Sequence, residues 1–196
     1  MKRPLRANTE SDKNDKTQFD QIFNLTNAIY FLNLGMAHFK LGQFEKALEP
    51  FKKATDLDNT KAIAFYRLGE AHAQLGQFEK ALEPFKKATD LDKTKAIYFN
   101  DLGTTYFTLG KFQEALASYK NATDLPLTNA IAFNNLGNAH FKLGEFQEAL
   151  VPFKKAIELD PTNALPTTAL ITPAHSAKEV REIITKVIIP GNKFMS

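Results

Sequence analysis

Glycine recurs in two columns spaced thirty-four residues apart. Gly35, Gly69, Gly103 and Gly137 form one column and Gly42, Gly76, Gly110 and Gly144 the other, which takes eight of the nine glycines in the chain. The surrounding text copies itself with the same period: the segment from Leu41 to Asp58 returns unchanged from Leu75 to Asp92. A unit this short and regular cannot gather its apolar residues into one central core. Each copy has to bury its apolar face against the next, so the period specifies a stacked solenoid rather than a globule.

Inside the first full unit, Ala28 to Lys61, apolar residues fall at Phe31, Leu34, Ala37, Phe39 and Leu41, and then at Phe44, Ala47, Leu48, Phe51, Ala54 and Leu57. The second series steps by three and four, the spacing of one helix face. A Leu-Gly pair such as Leu41-Gly42 ends the first half of every unit, and glycine there supplies the left-handed residue that closes a helix cheaply. Each unit therefore reads as helix, tight turn and helix, joined to the next by a polar link carrying Thr60, Thr94, Thr128 or Thr162. The threonine, or the Asn or Lys after it, is placed to open the following helix.

Gly35 and its equivalents sit inside the first helix, where glycine costs about 1 kcal/mol relative to alanine. The compensating reading is steric: without a side chain there, the first helix can lie close against the second, whose small residues Ala47, Ala81, Ala115 and Ala149 also recur. Fourteen of the seventeen phenylalanines stand in repeated columns, among them Phe31, Phe65, Phe99 and Phe133, and Phe44, Phe78, Phe112 and Phe146. These rings are expected to be core, buried mostly against neighbouring repeats. His38, His72 and His140 share a column with Tyr106; their spacing distributes them over successive repeats, whereas metal ligands must converge on one point. They read as packing residues with a polar tip. Pro50, Pro84 and Pro152 lie inside the second helix, where a bend is expected, and the third repeat has Ser118 instead.

The string Phe31, Leu34-Gly35, His38, Ala47, Phe51, Ala54, repeated as Phe133, Leu136-Gly137, His140, Ala149, Phe153, Ala156, resembles the tetratricopeptide repeat. The family's early tryptophan is phenylalanine throughout, and its closing proline is present only as Pro161. The resemblance covers residues 28–163 as four repeats, 28–61, 62–95, 96–129 and 130–163. It implies an all-α, right-handed superhelical solenoid of helix-turn-helix repeats.

Outside the repeats, residues 1–16 read as a disordered polar tail. Residues 17–27 read as an N-terminal half-repeat capping helix, with Phe19, Ile22 and Phe23 covering the first repeat; Asn24 to Ile29 parallels Pro126 to Ile131. Residues 164–196 read as a degenerate repeat start, with Ile171 in the glycine column, followed by an amphipathic capping helix. That helix opens with Ser176 and Glu179 in capping-box spacing and carries the stripe Val180, Ile183, Ile184, Val187 and Ile188. It either covers the flank of the fourth repeat or docks into a groove or onto a second copy.

By resemblance, the first helices line a concave surface, and their polar residues are where a partner is read. The lining comprises Asn33, Met36 and Lys40 in the first repeat, and Tyr66, Arg67, Glu70 and Gln74 in the second. The third repeat supplies Asn100, Asp101 and Thr104, and the fourth Asn134, Asn135, Asn138 and Lys142. An asparagine amide can satisfy both the carbonyl and the N–H of an extended peptide. Asn33 and Asn135 occupy the column that some peptide-binding members of the family use so, while Arg67 and Asp101 interrupt it. Chaperone-tail receptors of the family clamp a carboxylate with lysine, asparagine and arginine. The corresponding positions here include Ile29, Leu32 and Ile97, and Arg67 alone remains, so chaperone C-terminal tails are not expected ligands.

The chain shows no phosphate-cradling glycine loop, nucleophile elbow or metal-ligand cluster, so no enzyme and no cofactor are expected. A formal charge of +3 without a clustered basic face argues against nucleic-acid and membrane partners. The absence of cysteine excludes disulfides, and with no signal or spanning segment apparent the expected location is cytoplasmic. Two functions stand: a protein-interaction module or adaptor holding an extended peptide or partner helix in its groove, or a self-assembling scaffold joined through solenoid ends or the final helix.

Overall fold

A computed structural model of the chain describes residues 10–126 and 128–160, with side chains from residue 17 onward. The described residues form eight α-helices and no strand: α1 (Glu10–Lys40), α2 (Phe44–Leu57), α3 (Ala62–Gln74), α4 (Phe78–Leu91), α5 (Ala96–Thr108), α6 (Phe112–Thr123), α7 (Ala130–Lys142) and α8 (Phe146–Leu159). They fall into two compact units, the described residues up to Leu91 and those from Asp92 onward. In the first, α1 packs on α2, α2 on α3 and α3 on α4, with α1 also beside α3. The second repeats the arrangement with α5, α6, α7 and α8, and α5 lies beside α7.

The turn inside each repeat closes as the sequence implies. Gly42, Gly76, Gly110 and Gly144 have φ of 70°, 70°, 73° and 80°. Gly42 donates its N–H to Phe39 O at 2.9 Å and Gln43 donates to His38 O at 2.9 Å, the double closure that satisfies the last free carbonyls of a helix. The same pair of bonds recurs at Gly76-Gln77, Gly110-Lys111 and Gly144-Glu145.

The inner glycines have the steric role assigned to them. A Cβ on Gly35 would lie 2.5 Å from Phe51 Cδ1; the corresponding distances are 2.7 Å for Gly69 to Phe85 and for Gly103 to Tyr119, and 2.6 Å for Gly137 to Phe153 Cε1. Phe51 is 0% exposed and Phe85 1%, so neither ring has room to retreat. Burial of each ring contributes about 1.5–3 kcal/mol. The column Ala47, Ala81, Ala115 and Ala149 is fully buried as well. The neighbouring repeat completes these cores: Ala71 of α3 joins Ala47 and Phe51, and Leu136 and Ala139 of α7 join Ala115, Leu116 and Tyr119.

Not every ring faces a neighbouring repeat. Phe44, Phe112 and Phe146 each pack edge to face, across their own turn, on Phe39, Phe107 and Phe141, at 5.0, 5.1 and 5.2 Å between centroids. α2, α4 and α8 run through Pro50, Pro84 and Pro152 as single helices. In α6 the Ser118 hydroxyl donates to Glu114 O at 2.8 Å.

The links between repeats use threonine differently from the cap expected. Thr60 donates its N–H and its hydroxyl to Asp58 Oδ1, at 3.0 and 2.6 Å, and Thr94 does the same with Asp92 at 2.9 and 2.6 Å. These two bonds hold the exposed Asp92 carboxyl below its ordinary range. A side-chain cap appears at Asn129, which accepts from Ala132 N at 3.1 Å; Lys61 and Lys95, at the equivalent position, make none.

The beginning of the chain differs from what its sequence pattern predicts. α1 is continuous from Glu10 through the first helix of the first repeat, so residues 17–27 are its N-terminal extension rather than a separate capping helix, and residues 10–16 are helical. Thr26, read as part of a link, instead donates its hydroxyl to Ile22 O at 2.8 Å, four residues back along the helix. Phe19, Ile22 and Phe23 remain 68, 57 and 59% exposed, so they do not cover the first repeat. The reason is geometric: α2 spans only 14 residues against the 31 of α1, so a straight α1 outruns its partner. The degenerate repeat start and final helix, 164–196, lie outside the described residues.

Candidate functional site

The expected ligand-facing residues lie on α1 and α3 in the first unit, and on α5 and α7 in the second. In the first unit they are divided between surface and core. Asn33, Lys40 and Gln74 are exposed. Met36 instead packs on the cluster of Ala47, Phe51 and Ala71. Tyr66 is 4% exposed, with its ring 5.8 Å from that of Phe85. This removes Tyr66 from the accessible lining: an aromatic at that point of α3 gains more from burial than from facing water. Arg67 donates from Nη1 to Glu70 Oε2 at 2.6 Å and lies 5.5 Å from the Tyr66 ring centroid. The pair is partly buried, so Arg67 is held against its own helix by charge and by an aromatic face.

The second unit joins its asparagines across helices. Asn135 Nδ2 on α7 donates to Asn100 Oδ1 on α5 at 3.0 Å, and Asn100 Nδ2 donates to Asp101 Oδ1 at 3.2 Å. This relay crosses from the first helix of one repeat to that of the next. Asn134 and Asn138 are partly exposed on α7, and Lys142 is exposed at its end. On α5, Thr104 donates its hydroxyl to Asn100 O at 2.9 Å and accepts from Tyr119 Oη at 3.2 Å. Burial pushes the Tyr119 phenol well above its ordinary range, an effect the Thr104 hydrogen bond offsets only in part.

The histidine column forms bonds that sequence reading did not supply. His38 Nδ1 lies 2.9 Å from Gln43 Oε1, His72 Nδ1 2.8 Å from Gln77 Oε1, and His140 Nδ1 2.7 Å from Glu145 Oε2. In each case the partner is the residue whose backbone N–H bonds the histidine's own carbonyl. The signal was available as co-recurrence: glutamine or glutamate stands five residues after every histidine of the column. These histidines therefore clamp the turn. Among the described residues no helix is long and apolar enough to cross a membrane.

Several solved structures share this arrangement. MamA matches at a TM-score of 0.71 and 25% identity over 83% of this chain and 88% of that one. YrrB, described as a tetratricopeptide repeat protein with an unusual peptide-binding site, matches at 0.69 and 24% identity over 96% of each chain. The first repeat domain of Spaghetti (RPAP3), solved bound to an HSP90 peptide, matches at 0.58 and 24% identity over 61% of this chain and 94% of that one. The last two are likenesses of fold. No curated protein matches the sequence. One model, described as tetratricopeptide repeat, matches residues 62–95 and 130–163, and a second, described as TPR repeat, matches residues 35–76 and 103–144. With the paired helices, the recurring glycine turns and more than half of the sequence matched, the chain belongs to the tetratricopeptide repeat family.

Proposed function

We propose that the chain is a non-catalytic protein-interaction module that holds an extended peptide or partner helix along its first helices. The observation that carries this is the amide relay from Asn135 through Asn100 to Asp101, flanked by the partly exposed Asn134 and Asn138. Each asparagine has two donors and two acceptor lone pairs, so the relay orients the amides and leaves capacity for a peptide backbone. Family membership supports a polypeptide ligand. Chaperone tails are not the proposed ligand, because Arg67 already satisfies Glu70 and no second cation stands in the column of Ile29 and Ile97.

The test is selection of a displayed peptide library on the full chain, followed by titration of the selected peptides. An Asn100→Ala, Asn134→Ala, Asn138→Ala variant with unchanged circular dichroism is titrated in parallel. Each lost hydrogen bond is worth about 0.5–1.5 kcal/mol net, so binding should fall at least about tenfold. Equal binding by the two proteins overturns the reading.

Self-association is a second reading, favoured by the exposed Phe19, Ile22 and Phe23 on one face of α1, with Tyr30 60% exposed two turns on. Sedimentation of the full chain against a Phe19→Ser, Ile22→Ser, Phe23→Ser variant decides it. A concentration-dependent mass that disappears in the variant supports assembly through α1; a single-copy mass at every concentration removes it.

A further inference from the structure

The amide relay of the second unit runs in one sense, and a single carboxylate imposes it. An asparagine side chain turned end for end keeps its shape, so a hydrogen bond between two asparagines can run either way. A carboxylate has acceptors only. Asn100 therefore turns Nδ2 towards Asp101 Oδ1, 3.2 Å away, and is left with Oδ1 as the end that meets Asn135. That oxygen requires a donor in turn, and Asn135 supplies Nδ2 at 3.0 Å.

The third repeat is specialised around this arrangement. Of the four repeats only the third has a carboxylate in the Asp101 column, where the others have Asn33, Arg67 and Asn135. Only the third has a tyrosine, Tyr119, in place of the phenylalanine that meets the inner glycine. Tyr119 is 2% exposed and donates to Thr104 Oγ1 at 3.2 Å, and Thr104 donates to Asn100 O at 2.9 Å. Asn100 is thus held at its backbone from inside the helix pair and at its side chain by Asp101. The first unit has Leu32 and the buried Tyr66 in the Asn100 column, so it has no amide there to relay.

We propose that Asp101 is a positioning residue that locks Asn135 with its oxygen free for the ligand; this rests on the peptide-binding function proposed above. Asn135 is partly exposed and has committed Nδ2 to Asn100, so Oδ1 is its fixed acceptor. Turning the amide round would set two oxygens face to face, either between Asn135 and Asn100 or between Asn100 and Asp101. The ligand group opposite Asn135 Oδ1 is therefore a donor, a backbone N–H of an extended peptide, and an acceptor in its place is refused. Asp101→Asn releases the lock, because an amide at position 101 donates to Asn100 as readily as it accepts. The relay then runs in either sense and Asn135 adapts to either kind of ligand group.

The probe is a peptide selected on the full chain, resynthesised as a series in which each backbone amide in turn becomes an ester. The ester replaces one N–H by an oxygen. Every ester is titrated against the native protein, Asp101→Asn and Asn135→Ala, and the ratio of ester to parent Kd is read. Damage to the groove as a whole weakens parent and ester together and leaves that ratio unmoved. At one backbone position the native protein is expected to disfavour the ester about tenfold or more, and both variants less than about threefold. A ratio near unity at every position for the native protein, or a tenfold ratio kept by either variant, overturns the proposal. The free protein supplies a second measurement by NMR. One Asn135 Nδ2 proton should exchange slowly with solvent, and Asp101→Asn should speed that exchange while the backbone amides of α5 and α7 keep their protection. Unchanged exchange shows that Asp101 does not order the relay and also overturns the proposal. Failure to select any peptide overturns the function proposed above, whereas ratios indifferent to Asp101→Asn on a peptide that binds overturn this inference alone.

Discussion

Asn135 and Asn100, thirty-five positions apart in the chain, share a hydrogen bond of 3.0 Å between the first helices of consecutive repeats. The bond is both a structural tie and an orienting device. A ligand that takes over the Asn100 amide competes with a neighbour already in place, which favours partners able to bond several amides at once.

The tie should be measurable without a ligand. A double-mutant cycle of Asn100→Ala and Asn135→Ala, followed by urea unfolding, is expected to give a coupling of about 0.5–1.5 kcal/mol, the usual net worth of such a bond. Additive single effects would show that the two amides act independently.

Gly69→Ala isolates the steric role of the inner glycines. Alanine favours the helix by about 1 kcal/mol over glycine. Its Cβ, however, would stand 2.7 Å from the Phe85 ring, which is 1% exposed. Overpacking of that kind costs about 1–3 kcal/mol, so the variant should lose stability in a denaturant titration. Adding Phe85→Leu should recover part of that loss specifically, because it thins the ring that the methyl meets. A stabilised single variant contradicts the close approach.

Gly76→Ala tests a different constraint, since nothing lies within 4 Å of a Cβ there and only the φ of 70° opposes a side chain. The expected cost is about 1–2 kcal/mol, with Gly76→Asn cheaper because asparagine tolerates the left-handed region. Equal stability of the alanine and asparagine variants would argue against backbone strain as the cause.

Tyr119 gives a pH dependence of known sign. Its folded-state phenol titrates above the ordinary value, because burial disfavours the phenolate. Its contribution to stability is therefore complete below about pH 10 and is lost as the pH rises past that value, where the unfolded chain ionises first. Melting temperatures of the native protein and Tyr119→Phe, compared on the two sides of that pH, should diverge, with the phenylalanine protein less sensitive to alkali. Parallel curves would place the alkaline loss on the other tyrosines.

The repeat fold was legible because its determinants are local and recur. Gly42 and Gly76 announce the turns, and Gly35 with Ala47 announces the close approach of the helix pair, although the atoms nearest to Gly35 are those of the Phe51 ring. The course of α1 was not. Asn24 to Ile29 resembles a link, but a link's backbone is decided by what packs against it, and helical hydrogen bonding such as that from Thr26 to Ile22 took over. Candidate binding residues were legible as a surface list and not as an arrangement. The spacing that puts Tyr66 on the same helix as Arg67 cannot tell that one enters the core while the other bonds Glu70. Likewise, the Asn100 to Asn135 bond depends on the separation of α5 and α7, which composition does not encode.

The helices α2 and α4 have the same sequence, FEKALEPFKKATDL. Neither α1 nor α3 can therefore recognise its proper partner by the chemistry of the facing surface. What gives each helix its address is the tether: a glycine turn so short that the correct partner arrives at a local concentration no distant copy can match. Lengthening that turn would leave every native contact available and yet remove the information that chooses among them, so pairing errors between repeats, rather than simple unfolding, would be the result.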